Sequence, residues 1–266
     1  MAAYVIPKTK RYDGEVAVVT GASSGLGRRL AIDLADAGAR VVAIARSEPA
    51  LAELAARSDG RILARPCDVT DEPALAAVLR STEHDHGRID ILVNAAGWEQ
   101  ATRVEAADTE LYRRIFATNF FAVVAATLAV VPGMLERRHG IVVNVSSDHG
   151  RAPAPGTPAY SASKAAVSAF TESLAHECHG RGVHLHVLYP GWVPTPLGQA
   201  VVEAGMPPPP KVVQRTEAQV SAATLARMGG EGIEINCARV ATLAPVMRAL
   251  APPFYRSQMR KQANRG

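Results

Sequence analysis

Short continuous runs of aliphatic and β-branched residues alternate along the chain with longer stretches in which apolar residues return every three or four positions. The short runs are Val16–Thr20, Arg40–Ala45, 62–67, 89–94, Gly140–Val145 and 183–188. They are apolar throughout rather than alternately apolar and polar, the pattern of strands buried on both faces of a parallel sheet. Between them the spacing predicts helices over 26–37, from a cap at Ser47, from about Glu72, over 109–137 and over 159–178. Gly38 stands where a helix C-terminus wants a left-handed residue, and Pro49 lies near a helix start. Strand alternating with helix predicts one doubly wound α/β domain over 1–266, with a mostly parallel sheet of about seven strands and helices on both faces.

Beyond Thr195 the pattern weakens. The proline- and small-residue-rich stretch 196–215 reads as a flap over a site, with a stiff polyproline segment at 207–210. Thr216 caps a helix running to Gly229 and Gly230, an edge strand follows at 233–236, and a last helix at 238–250 ends at Pro252 and Pro253. The remainder, 251–266, reads as a tail, disordered beyond Gln258.

Composition narrows the function classes. The net charge of +4 is thin, and aromatic residues make up 5%, so the basic stripe with stacking aromatics of a nucleic-acid binder is missing. Cys67, Cys178 and Cys237 are too few and too scattered for a disulfide framework. The first fourteen residues hold no apolar core of a leader, and a cytoplasmic protein is expected. The uncharged stretch 115–131 carries Asn119 in its middle, which favours a helix buried against the sheet or a second subunit over a membrane span. His176, Cys178, His179, His184 and His186 lack zinc-site spacing, as do His84 and His86, and no metal site is expected.

The first strand runs into Gly21-Ala-Ser23-Ser24-Gly25-Leu26-Gly27 and then a helix. Glycines allow a tight turn and close approach of backbone to a pyrophosphate, and the helix N-terminus offers N–H groups and partial positive charge. Gly21-x-Ser23-x-Gly25 also satisfies the nucleophile elbow of α/β-hydrolases, but that fold needs several strands before its serine. After the second strand stand Arg46 and Ser47, where an acid would select an unphosphorylated ribose. A guanidinium there suits a 2′-phosphate, with Arg28 as a second charge, so NADP(H) is favoured over NAD(H). Tyr160 and Lys164 lie one turn apart on a predicted helix, and Ser147 ends the fifth strand.

These motifs, in this order, resemble the single-domain form of the short-chain dehydrogenase/reductase family. The match covers about 14–195: Thr20-Gly21-x-x-x-Gly25-x-Gly27, Asp68, Asn94-Ala95-Ala-Gly97, Asn119, Ser147, Tyr160-x-x-x-Lys164 and Pro190-Gly191-x-x-x-Thr195. The resemblance implies a Rossmann-type fold and hydride transfer between nicotinamide and a ketone or secondary alcohol. It makes Tyr160 the general acid or base, has Lys164 lower the tyrosine pKa, lets Ser147 polarise the carbonyl, and gives Asn119 a water in a proton relay. It assigns the pyrophosphate to Gly21, Ser23, Ser24, Gly25, Leu26 and Gly27, and the ribose phosphate end to Arg46 and Ser47. Asp68 and Val69 would meet adenine. Asn94, Ala95 and Gly97 would line the adenosine and ribose, and Pro190, Gly191, Val193 and Thr195 would wrap the nicotinamide. Ala95 stands where many relatives carry asparagine, and 229–266 differs from the short ending of the β-ketoacyl-carrier reductases. Trp98, His149 and Trp192 are expected pocket walls. A homodimer or homotetramer is expected, with the 109–137 and 159–178 helices at a dimer interface. A catalytically silent cofactor sensor or scaffold on the same fold is the alternative.

Overall fold

The computed structural model describes residues 11–203 and 209–263. Seven strands, β1 (Val16–Thr20), β2 (Arg40–Ala45), β3 (Ile62–Pro66), β4 (Ile91–Asn94), β5 (Gly140–Val145), β6 (Val183–Tyr189) and β7 (Glu234–Asn236), form one sheet. Their order is β3-β2-β1-β4-β5-β6-β7 and every pairing is parallel. The connections reverse direction between β1 and β4, which opens a crevice at the carboxyl ends of those strands.

The strands alternate their side chains between two hydrophobic layers. On one face Ala17, Val19 and Val41 pack with Leu30 and Leu34 of α1 (Gly25–Asp36), Leu51 and Leu54 of α2 (Glu48–Ala56) and, further along the chain, Val220 and Leu225. On the other face Val18, Val42, Leu92 and Val142 meet Leu75 and Leu79 of α3 (Glu72–His86). Both layers being filled accounts for the continuous apolar runs in the sequence.

The long apolar helix is one rod with a change of winding inside it. α4 (Thr109–Phe116) passes into a π-helical turn, Ala117–Phe121, and then into α5 (Ala122–Arg137). Ala126, Val130 and Met134 of α5 are buried against the sheet, whereas Phe121 and Leu128 are 53% and 52% exposed. Among the described residues it is the one helix long and apolar enough to cross a membrane, with 44% of its most apolar window buried in the protein. The expectation of an uninterrupted helix at 109–137 fails at Asn119, which sits in the wide turn. Single π turns of this kind are frequent at functional sites.

After β5 the backbone makes the short α6 (Asp148–Arg151), with Ser147 as its cap, and then α7 (Pro158–Cys178). Part of the expected flap is helical, α8 (Pro196–Glu203), and part of it, 204–208, lies outside the described residues. Thr216 caps α9 (Glu217–Arg227) through a reciprocal bond pair with Gln219, as its position indicates. The expected last helix is shorter, α10 (Leu243–Leu250), preceded by a tight turn at Arg239–Thr242. The expected disordered tail is instead α11 (Pro252–Ala263). The two prolines that were expected to stop a helix start one, because a proline in the first turn forfeits no helical hydrogen bond.

Candidate active site

The glycine turn is built so tightly that only glycine fits. Gly21 has φ +68°, and a Cβ there would lie 2.7 Å from the backbone of Ala96; a Cβ on Gly27 would overlap the carbonyl oxygen of Gly21. Thr20 fixes the turn to the loop after β4, its hydroxyl accepting from the N–H groups of Ala95 and Ala96 at 3.1 and 3.2 Å. Ser24 is the N-cap of α1, but its hydroxyl caps nothing, and no acid occupies the first turn. The first N–H groups of α1 therefore meet the cleft without a side-chain acceptor, which suits an anion.

The cleft over the strand ends has a volume of about 1250 Å³. At one end it is lined by Gly21, Ser23, Ser24, Gly25, Leu26, Gly27, Arg46, Ser47, Asp68 and Val69. At the other it is lined by Ser147, Tyr160, Lys164, Pro190, Gly191, Val193 and Thr195, with Ala95 and Gly97 between. Trp98, His149 and Trp192 are walls of the same cleft. Its length, glycine floor and free helix N-terminus fit a dinucleotide.

At the β2 and β3 ends, Asp68 accepts from the N–H and hydroxyl of Thr70 at 2.9 and 2.8 Å. Those bonds hold its carboxyl below the usual carboxylate range, burial opposing them. Arg46 is 82% exposed in its side chain and reaches Asp68 only at 4.0 Å, so its guanidinium is available to a ligand. Arg28 is turned away toward Glu53, at 3.3 Å, and does not line the cleft.

Around Tyr160 the polar groups are ordered by main-chain contacts. Ser147 caps α6, accepting from the N–H of His149 at 3.2 Å, and its hydroxyl bonds the Tyr160 hydroxyl. The His149 ring stands edge-on to the Tyr160 ring at 6.1 Å, and burial lowers its pKa below the ordinary histidine range. Lys164 donates to the carbonyl of Val145, at the end of β5, at 2.8 Å, and its ammonium lies 5.8 Å from the Tyr160 ring centroid. Burial pushes Lys164 down to about 8, with Glu99 acting against that shift. The expected lowering of the tyrosine pKa is not produced by these residues. Burial raises it first, Glu99 and Asp148 raise it further, and the Ser147 bond lowers it by less.

Two asparagines stand elsewhere than the motif reading placed them. Asn94 is buried and lines no part of the cleft: its amide donates to Asn144 at 2.8 Å and Thr127 at 3.2 Å, and Asn144 donates to Thr171 at 2.9 Å. It ties β4 and β5 to α5 and α7, because the last residue of β4 turns its side chain to that face. Asn119 is fully buried. Its Oδ1 accepts from the Trp98 N–H, and its Nδ2 donates to the Trp98 carbonyl, both at 3.0 Å, and to Ser163 at 3.2 Å.

The motif reading also missed lining residues. Glu99 and Arg114 line the cleft, with the Arg114 guanidinium 5.7 Å from the Trp98 ring centroid. From the C-terminal helices come Ala244, Tyr255 and Met259. Tyr255 donates to the Pro153 carbonyl at 2.9 Å, and Arg248 donates to the Arg151 carbonyl at 2.8 Å, which draws α10 and α11 over the loop beside Tyr160. For Glu99 the one available sign was an acid directly after the Asn94–Gly97 motif.

A parallel sheet with its glycine-floored cleft at the switch point, ending at a Ser–Tyr–Lys cluster, defines a nicotinamide-dinucleotide oxidoreductase of the doubly wound α/β class. The short chain dehydrogenase family profile matches residues 15–205. A short chain dehydrogenase of Pseudocercospora fijiensis is 39% identical over 70% of this chain, which spans 62% of that relative's length. Dehydrogenase/reductase SDR family member 7B of Bos taurus is 34% identical over 94% of this chain and 82% of its own. A short-chain dehydrogenase structure from Streptomyces avermitilis superposes with a TM-score of 0.81 at 28% identity, over 94% of this chain and 97% of its own. The protein belongs to the short-chain dehydrogenase/reductase family, whose members are oxidoreductases that use NAD(P) cofactors on small-molecule substrates.

Proposed function

We propose that the protein is an NADP(H)-dependent oxidoreductase that interconverts a ketone and a secondary alcohol. The observation that carries this reading is the Ser147–Tyr160 hydroxyl pair held beside Lys164 in the cleft that begins at the glycine turn. The bound nicotinamide supplies or accepts the hydride. Ser147 positions the substrate oxygen, Tyr160 gives up its O–H proton to that oxygen in reduction, and Lys164 binds the ribose. The first turn of α1 with Ser23 and Ser24 holds the pyrophosphate, and Asp68 and Val69 receive the adenine. Asn119 serves the site through Trp98, by fixing the main chain of the cleft wall. The apolar share of the wall, with Trp98, Trp192, Val213 and Met259, favours an uncharged substrate.

Arg46 carries the choice of NADP(H), since a 2′-phosphate gains charge-assisted bonds from an exposed, weakly paired guanidinium. Fluorescence titration is expected to show NADPH binding more tightly than NADH. Arg46→Ala removes bonds worth about 1.5–3 kcal/mol, so NADPH affinity should fall roughly 10–150-fold with NADH affinity unchanged. Equal losses for both cofactors, or tighter NADH binding from the start, would reject the phosphate-reading role.

The same reading includes a cytoplasmic homo-oligomer. Phe121 and Leu128, half exposed on an apolar rod, are the side chains a dimer through α4, α5 and α7 would cover. Light scattering at micromolar concentration should report at least twice the 28.1 kDa chain mass, and Leu128→Arg should shift it toward monomer. A wild-type monomer would refute this assembly.

A further inference from the structure

Three acids line the cleft, and two have partners. Asp68 is held by Thr70, and Asp148 is paired with Arg151 at 2.9 Å. The third, Glu99, has a buried Oε1 with no hydrogen-bond partner. Its place is not accidental slack in a loop, because the main chain of Trp98 is clamped on both sides by the Asn119 amide. The chain also passes directly over the Lys164 ammonium: a Cβ on Gly97 would lie 3.4 Å from Lys164 Nζ and 3.3 Å from Asn119 Oδ1. Glu99 and Lys164 act on each other through space, without a direct ion pair within 4 Å among the described residues.

We propose that Glu99 is the inner proton donor and acceptor for Lys164, so that the proton used at Tyr160 is replenished from a carboxyl group in the cleft wall. The inference rests on the proposed oxidoreductase reading and deepens it. In reduction the Tyr160 O–H bond breaks and the proton goes to the substrate oxygen. The phenolate is reprotonated from the Lys164 ammonium, and the resulting amine takes the proton of the Glu99 carboxylic acid. The Glu99 carboxylate then takes a proton from water. No electrons move along this chain, since the hydride carries the pair. Oxidation runs the same steps backwards.

The electrostatics agree with that geometry. Burial raises Glu99 to about 7, with Lys164 opposing the rise, and burial lowers Lys164 to about 8. Two groups so nearly matched exchange a proton at little cost near neutral pH. The charged and titratable groups around the cleft at this point are Lys164 and Tyr160 on α7, Asp148 and His149 on α6, and Arg114 on α4. Of these, Lys164 is the one that shifts Glu99. Tyr160 lies far too high to titrate near 7. An ionisation there belongs to the Glu99–Lys164 pair.

Two measurements test this. In cofactor-free protein, the infrared C=O absorption of a buried carboxylic acid should vanish as pH rises through about 7. It should be missing in Glu99→Gln and move to higher pH in Lys164→Met, where the opposing ammonium is gone. With substrate, the wild-type reduction rate should fall as pH rises through the same range, because Glu99 then loses its proton. Glu99→Gln should lose that step and at least about tenfold in kcat with unchanged NADPH affinity, and Glu99→Asp should restore part of the rate. Titration of Glu99 in the ordinary carboxylate range overturns the proposal. So does a Glu99→Gln variant with the wild-type pH profile and rate while Tyr160→Phe is inactive. An active Tyr160→Phe would instead remove the oxidoreductase mechanism itself, and this role with it. Should Glu99→Gln fail to fold, the Lys164→Met titration decides.

Discussion

Tyr160→Phe is expected to lower kcat/KM by about 10²–10⁴-fold, the range for removing a positioned general acid or base. The substitution deletes one oxygen and keeps the ring, so the edge-on contact with His149 should persist. NADPH affinity and thermal stability should stay close to wild type, because the deleted hydroxyl has its one side-chain bond to Ser147. Loss of that bond concerns a neutral hydroxyl pair, worth about 0.5–1.5 kcal/mol. Steady-state kinetics with a turned-over ketone, read beside a cofactor titration and a melting curve, separates chemistry from folding. Undiminished kcat/KM in the variant would rule out Tyr160 as the proton-transferring group. A silent cofactor sensor on this fold predicts a different set of results: tight cofactor binding, and no turnover by the wild type on any carbonyl tried.

Gly27→Ala should be the most damaging single methyl group in the protein. The added Cβ would overlap the carbonyl of Gly21, a backbone atom that cannot rotate away. To relieve the overlap, α1 must back off from the turn, and its first N–H groups leave the line of the pyrophosphate. Overpacking of this kind costs about 1–3 kcal/mol, roughly 2–10 °C in Tm for a chain of this size. Losing one or two charge-assisted bonds should weaken dinucleotide binding by about two orders of magnitude, for NADPH and NADH alike. Calorimetry and titration together check both numbers. Wild-type affinity in Gly27→Ala would mean that the cofactor does not lie on this turn. The contrast with Arg46→Ala is diagnostic, since that variant should discriminate between the two cofactors and this one should not.

The sheet was legible because its strands are buried on both faces, and continuous apolar runs leave little else for 16–20, 40–45 or 140–145 to be. The cleft ends were legible for a different reason: glycines, a tyrosine–lysine pair and a serine are each demanded by local geometry or chemistry. What could not be read were matters of direction. Asn94 looks like a cleft residue in a motif, yet the pleat turns it into the core, where Asn144 and Thr127 meet it. Arg28 follows the glycine turn, yet the helix carries it around to Glu53. Glu99 gave no periodic signal because it lies in a loop, and its significance comes from Lys164, sixty-five positions away in the chain. The C-terminal helices were misread because apolar Leu243, Val246 and Leu250, all at least half exposed, share no pattern with the buried strands. Their hold on the site comes instead through Arg248 and Tyr255 reaching carbonyls of the 151–153 loop.

The wide turn at Ala117–Phe121 has a bearing on which changes in chain length this protein can survive. An α-helix advances about 100° per residue, and a π turn holds one residue more than an α turn. Deleting any one residue there would restore uniform winding and rotate everything that follows by about a quarter turn. Ala126, Val130 and Met134 would swing off the sheet, and the register between Asn119 and Trp98 would be lost in the same event. The segment works as a length gauge between the cleft and the core: side chains within it are free to vary far more than their number is.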